Sequence, residues 1–184
     1  FLRVHRPIIL TDGTIKRKRL LRRLSGAIKQ YNPETKFEYI GPIELQLSNP
    51  ALDTIYKITS IYRENNCDGI VAAGSGQLLK IVKAMRILVS SECADLALCI
   101  GHRALNHPLI PLLVIPSSVE TCVEISPMVV VRDKSVGKKI VISSRHFLPQ
   151  LLFNETRFMT TISLQRNISA SMDAFTRALE SYLY

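Results

Sequence analysis

Short apolar runs alternate with longer stretches of helical period through the first two thirds of the chain. "RPIILTDG" (6–13) reads as a buried strand ending in a turn, and a basic amphipathic helix follows to about Tyr31. "KFEYIG" (36–41) is a second strand. A helix is expected over 51–65, with Pro50 near its first turn and Ile55, Ile58, Ile61 and Tyr62 on one face. A strand over 69–73 leads into a helix over 77–91, and "PLLVIP" (111–116) is another strand, bounded by prolines. Such alternation predicts a mostly parallel sheet covered on both faces. From Pro127 the period changes to that of a hairpin, "MVVVRD" and "KKIVIS" joined by "KSVG". After "HFLPQLLFN" the chain turns helical again. Met172, Phe175, Ala178, Leu179 and Leu183 form the apolar stripe, and Ser169 or Ser171 is the expected cap.

One junction in this pattern raises a chemical question. Ile70 to Ala73 runs straight into Gly74-Ser75-Gly76 and then into a helix. Helix N-termini offer unpaired amides and a partial positive charge, and glycines let an anion come close to them. Phosphate binding is one reading of this turn. The other is a tight strand-to-helix connection that needs glycine for its backbone alone.

Composition narrows the field. The 184 residues suit one domain, or one domain and the start of another, and 47% hydrophobic residues suffice for a core. No apolar run has the length of a membrane span and no secretory signal is recognisable. Cysteines 67, 93, 99 and 122 make neither a C-x-x-C pair nor a zinc spacing, so a reduced, cytoplasmic protein with buried thiols is expected. The net charge of +9 is concentrated in "KRKRLLRR" (16–23). Leu20, Leu21 and Leu24 give that segment an apolar stripe, so its charges read as a solvated helix face, and no aromatic platform or nucleic-acid motif accompanies them. Salt-sensitive retention on DNA is what the competing nucleic-acid reading would require.

Taken in order, these segments resemble the iron-containing alcohol dehydrogenase family of the dehydroquinate synthase-like superfamily. "CDGIVAAGSGQLLKIVKAM" is similar to the family pattern D-x-I-(I/V)-x-x-G-G-G-S-x-x-D-x-A-K-A. "IPLLVIPSSVETCVEISPMVVVRD" follows P-x-(I/V)-x-I-P-T-T-x-G-T-G-S-E-x-(T/S)-x-x-x-V-(I/V)-x-D, and "SMDAFTRALESYL" resembles G-M-D-A-L-T-H-A-I-E-A-Y. "IILTD" and "LSNP" match the first strand and the N-P turn. The resemblance implies an α/β fold: a Rossmann-like, mostly parallel sheet with flanking helices and a small β-hairpin. It divides the chain into a dinucleotide-binding domain over 1–150 and, over 151–184, a linker and the first helix of a truncated α-helical domain.

The site residues follow from the same match. Gly74, Ser75, Gly76 and Gln77 would cradle the pyrophosphate of a nicotinamide dinucleotide. Asp12 stands where the family's aspartate meets the adenosine ribose, which would favour NAD over NADP; an Asp-Gly turn residue is its competing role. Asn49 borders the cofactor cleft or is a common turn residue. Ser117, Ser118 and Thr121 occupy the positions that bond phosphate, ribose and nicotinamide, or are loop hydroxyls. Lys139 matches the lysine at the nicotinamide-side ribose, or guards an exposed edge.

In the family, a divalent iron or zinc ion polarises the alcohol oxygen while hydride passes to the nicotinamide. Asp173 matches its aspartate ligand, but Arg177 stands at the first histidine, and a guanidinium cannot ligate a metal. His5, His102, His107 and His146 show no ligand spacing. Lys80 replaces the aspartate of the glycine motif, and Glu120 a glycine of the T-G-T-G-S loop. The expected function is the cofactor-binding half of an NAD(P)-dependent oxidoreductase interconverting a small alcohol and aldehyde, with a homo-oligomer among its states. A degenerate, non-catalytic nucleotide-binding member and a dehydroquinate synthase-like or polyol-phosphate-type enzyme are the alternatives.

Overall fold

The computed structural model describes residues 4–13, 26, 38–47, 52–91, 95–96, 108–117, 123–132, 137, 139–156 and 163–183. The basic segment 16–23 lies outside them. Among the described residues five parallel strands form the central sheet: β1 (Pro7–Asp12), β2 (Ile40–Leu45), β3 (Gly69–Gly74), β4 (Leu112–Pro116) and, last of them in chain order, β7 (Leu151–Leu152). Their order is β2-β1-β3-β4-β7, every neighbouring pair being parallel. Between β2 and β3 lies helix α1 (Leu52–Glu64), and after β3 comes α2 (Gly76–Ser90). Strands β5 (Met128–Arg132) and β6 (Lys139–Ser143) make the antiparallel hairpin as a sheet of their own. Helix α3 (Leu164–Leu183) closes the described chain.

Strand periodicity of two sorts the core onto two faces. Ile8 and Leu10 of β1, Ile70 and Ala72 of β3, and Leu112 and Val114 of β4 face the layer that contains α1, α2 and the hairpin. Ile9, Val71, Ala73 and Ile115 form a smaller cluster on the opposite face. β3 and β4 are buried along nearly their whole length, as strands in the middle of a parallel sheet must be. Burying each large aliphatic side chain contributes roughly 1.5–3 kcal/mol. The hairpin shows the one-sided pattern instead: Val129, Val131, Ile140 and Ile142 are buried, whereas Met128, Val130 and Val141 are exposed.

α1 presents Ile55, Ile58 and Tyr62 to the core, while Ile61 of the expected face is half-buried. Asp53 in its first turn and Arg63 in its last complement the helix dipole. Asn66, at φ 48°, takes the left-handed position that ends the helix, and the Cys67 amide bonds back to the Tyr62 carbonyl at 3.1 Å.

Three local expectations change. The second strand runs over 40–45, not 36–41, because Gly41-Pro42 lies inside it. β2 is an edge strand, where proline is tolerated, and a bulge absorbs the pair: the step Ile8 to Leu10 faces Ile40 to Ile43. Gly41 has φ +105°, and a Cβ there would lie 2.5 Å from the Ile9 carbonyl oxygen, so only glycine fits. Leu151–Leu152, read as part of a connector, is the fifth strand, fixed by Phe153 N–H to the Val114 carbonyl (2.8 Å) and Gln150 N–H to that of Leu112 (3.0 Å). The last helix begins at Leu164, so Ser169 and Ser171 are interior. Its apolar stripe extends back through Ile168 to Leu164, one continuous helical period. Among the described residues no helix is long and apolar enough to cross a membrane.

Candidate functional site

The strand order places β1 and β3 side by side, with the connection from β1 leaving toward β2 on one side and the chain returning to β3 on the other. This is the topological switch point of an open parallel sheet, where a crevice forms outside the carboxyl ends of the strands. Asp12 ends β1 and Gly74 ends β3, so the two flank that crevice. Beyond Gly74, Pro116 pairs with it across β3–β4, and the Ser117 amide donates to the Gly74 carbonyl at 2.9 Å. Ser117 is fully buried.

The turn itself is built around Asp12. Its Oδ2 accepts from the Ser75 amide at 2.9 Å and from the Ser75 hydroxyl at 2.6 Å. Asp12 is 2% exposed and Ser75 is 6%. Ser75 is the N-cap residue of α2 in extended conformation, yet its hydroxyl caps no helix amide, since it is turned to Asp12. The Ser75 carbonyl accepts the first helical bond, from Leu79 N–H at 3.1 Å. A Cβ added to Gly74 would lie 2.6 Å from Leu78 Cδ2 and 2.9 Å from both Cγ and Oδ1 of Asp12. The space that glycine leaves bare is therefore filled by the chain's own side chains. Gln77 is exposed on the first turn of α2, and Lys80 half-buried one turn on.

The structure thus brings Asp12, Gly74, Ser75, Gly76 and Ser117 to one edge of the sheet. Lys139 begins β6, exposed and opposite Arg132 in the hairpin. Asn49, Ser118 and Thr121 lie outside the described residues, as do Glu120, His102 and His107. Asp173 sits on α3, where Arg177 Nε meets its Oδ2 at 3.4 Å. That exposed i,i+4 pair contributes only ~0.3–0.5 kcal/mol, but it supplies Asp173 with a cation that is not a metal. Among the described residues no group of three His, Cys, Asp or Glu side chains is placed to hold a metal ion. His5 and His146 are far apart in the chain, and each engages through its backbone amide, with Asp68 and Ser144 respectively. The described residues therefore do not fit the metal that the resemblance implies.

Two buried cations beside the site were missed by pattern reading. Lys83 and Arg86 lie on α2 and are almost fully buried. Lys83 Nζ donates to the Val123 carbonyl and, at 2.6 Å, to that of Ser126. It thereby fastens the chain entering the hairpin. Arg86 donates through Nε (3.0 Å) and Nη2 (2.7 Å) to the Ile110 carbonyl, and through Nη2 to Gln150 Oε1 at 3.3 Å. Its planar fork ties the entry of β4 to that of β7. Burial draws the Lys83 ammonium down to about 8, helped by the neighbouring Arg86 and opposed by Glu124. Burial alone draws Arg86 down to about 10, which leaves it charged at neutral pH. The available signal was the run of apolar residues from Leu78 to Leu88: it covers every face of α2 and leaves Lys83 and Arg86 no solvated side.

The comparisons agree with this architecture. The family model for iron-containing alcohol dehydrogenase matches residues 2–156. The chain belongs to the iron-containing alcohol dehydrogenase family. Lactaldehyde reductase of Escherichia coli (strain K12) is 26% identical over 136 residues, 73% of this chain and 36% of that protein. Among solved structures, the alcohol dehydrogenase from Oenococcus oeni superposes with a TM-score of 0.85 at 22% identity, covering 97% of this chain and 45% of that one. Sulfoacetaldehyde reductase from Bifidobacterium kashiwanohense, solved in complex with NAD+, has a TM-score of 0.74 at 20% identity, over 92% of this chain and 43% of that one. The chain thus spans less than half the length of these relatives. They establish for it the family's α/β fold, a mostly parallel sheet followed by the start of a helical segment.

Proposed function

We propose that this chain is the cofactor-binding portion of an NAD(P)-dependent oxidoreductase that interconverts a small alcohol and its aldehyde, with NAD the preferred cofactor. The observation that carries the reading is the position of the glycine turn at the β1/β3 switch point, facing the N-terminus of α2. Open parallel sheets bind nucleotides there, and the helix dipole favours a phosphate. Family membership and a neighbour named as an NAD+ complex support it. Gly74, Ser75, Gly76 and Gln77 would hold the pyrophosphate, with Asn49, Ser117, Ser118, Thr121 and Lys139 along the rest of the dinucleotide. When bound, the nicotinamide supplies the hydride chemistry. The chain's own part is to orient the cofactor and keep the buried β3–α2 junction dry. α3 carries Leu164, Ile168, Met172, Phe175 and Leu179 exposed along one stripe, which suits the first helix of a second, helical domain after residue 150. Isothermal titration with NAD is expected to give a saturable heat in the micromolar to millimolar range. Absence of heat at millimolar NAD and NADP would remove the proposal.

A second reading has its own observation. The Asp173–Arg177 pair favours a member that keeps the nucleotide site without the family metal. Purified protein is then expected to carry no stoichiometric iron or zinc by elemental analysis. One equivalent of either, lost on Asp173→Ala, would overturn this second reading and restore Asp173 as a ligand.

A further inference from the structure

We infer that the Ser75 side chain is a positioning group for Asp12, and that through it the glycine turn sets how strongly this site prefers NAD over NADP. The inference rests on the nucleotide reading above and names the group behind the preference. Ser75 is the N-cap of α2 in extended conformation, the place where a serine hydroxyl ordinarily accepts from an amide of the first turn. Here it makes no such bond and donates instead to Asp12 Oδ2 at 2.6 Å. The Ser75 amide donates to the same oxygen at 2.9 Å. Ser75 stands at the second glycine of the matched pattern, and a glycine would have supplied the amide alone. The helix cap is given up for a second hold on the carboxylate.

Two donors from one residue, meeting at one oxygen through short charge-assisted bonds, leave the carboxyl group little freedom to turn. Its other oxygen, Oδ1, is thereby set beside Gly74, 2.9 Å from where a Cβ would lie, at the end of β3. The donors themselves sit in a firm junction, since the Ser75 carbonyl takes the first bond of α2 from Leu79 N–H at 3.1 Å. Asp12 is 2% exposed, so solvent screens its charge weakly and the charge acts on whatever enters the crevice. NAD brings an adenosine ribose with two hydroxyls, which suit a carboxylate; NADP brings a 2′-phosphate, which a carboxylate repels. That repulsion discriminates only as far as the carboxylate keeps its place. A side chain free to swing aside relieves it.

Ser75→Ala removes the hydroxyl and keeps the amide. Calorimetric dissociation constants for NAD and NADP, at one ionic strength, are compared for wild type, Ser75→Ala, Asp12→Asn and the double variant. Wild type is expected to bind NAD more tightly than NADP, and Ser75→Ala to narrow that ratio about fivefold, mainly through tighter NADP. In the Asp12→Asn background the same serine change is expected to leave the ratio where it is, because no charge remains to be positioned. Ser75→Gly also lacks the hydroxyl, is expected to narrow the ratio in the same way, and covers a folding defect in the alanine variant. A purely structural tie between the ends of β1 and β3 would lower the unfolding midpoint and weaken both cofactors in proportion. An unchanged ratio of that kind overturns the inference. Equal narrowing in both backgrounds overturns it too, since the hydroxyl would then act without Asp12. A wild type that binds the two cofactors equally would overturn it while leaving the nucleotide site in place. Binding of neither by wild type would remove the nucleotide reading itself, and the inference with it.

Discussion

Gly74→Ala is expected to lower the unfolding free energy by about 2–3 kcal/mol with no nucleotide present. The added methyl has nowhere to go. It would lie 2.6 Å from Leu78 Cδ2 and 2.9 Å from the Asp12 carboxyl, and both side chains are buried. Leu78 is fully enclosed in the core cluster, so rotating it away creates a clash elsewhere. Forcing one extra methyl into such a site costs about 1–3 kcal/mol. Displacing Asp12 also stretches two bonds to Ser75 and leaves a buried carboxylate short of donors, a further cost of about 1–3 kcal/mol if either is lost. Urea denaturation of wild type and variant at pH 7 measures the difference directly. A glycine kept only so that a ligand can approach would behave otherwise: the variant would lose nucleotide affinity with its unfolding midpoint unchanged. Unchanged stability would thus show that the structural demand on Gly74 is not internal.

Why this turn was legible as special, but not why it is special, is a matter of range. An apolar run ending in glycine and passing into a helix is a local signal. The hydrophobic period likewise placed β1, β3, α1, α2, β4 and the hairpin within a residue or two of their observed limits. What lay beyond reach is contact between segments far apart in sequence. Asp12 and Ser75 are 63 residues apart, and nothing in either segment alone announces their bond. Lys83 and Arg86 resemble surface cations until the carbonyls of Val123, Ser126 and Ile110 arrive from other parts of the chain. β7 is two residues long, too short to have a period, and exists because β4 offers it an edge and Gln150 and Phe153 lock it there. The second strand, expected over 36–41, runs on through Gly41-Pro42 because its edge position lets the pair be carried as a bulge. In the site, Asp12, Gly74, Ser75, Gly76 and Ser117 converge. Lys139 and Asp173 stand on other elements, and only their motif match, not their surroundings, connects them to the cofactor.

Lys83 gives the largest pH effect. Its ammonium has lost most of its hydration and is bonded to backbone carbonyls, with the Glu124 carboxylate offsetting only part of the cost, so the native state releases the proton near pH 8 while the unfolded chain holds it to about 10.5. Between those values the unfolded state binds more protons, and stability must rise with pH through that window. Below pH 8 both states are charged and the whole cost of burying the charge, roughly 3 kcal/mol for a displacement of this size, is present. From pH 7.5 to 9.5 the gain is expected to be about 2 kcal/mol. Cys67 and Tyr62 act in the opposite sense at the alkaline end. Burial pushes both up, so the unfolded state ionises first and stability falls above roughly pH 9–10 as their ordinary values are passed. The test is therefore a difference: urea midpoints of wild type and Lys83→Met compared at pH 7.5, 8.5 and 9.5. Loss of the lysine leaves the Val123 and Ser126 carbonyls without that donor at every pH, a constant offset. Only the slope belongs to the proton. Wild type is expected to gain on the variant by about 2 kcal/mol across the interval, and parallel curves would mean that the Lys83 ammonium keeps its ordinary proton affinity in the native protein, through hydration or a carboxylate partner. Because Lys83 lies on α2 and anchors the chain entering the hairpin, it is the constant offset, not the slope, that reports how tightly that chain is held to the helix beginning at the glycine turn.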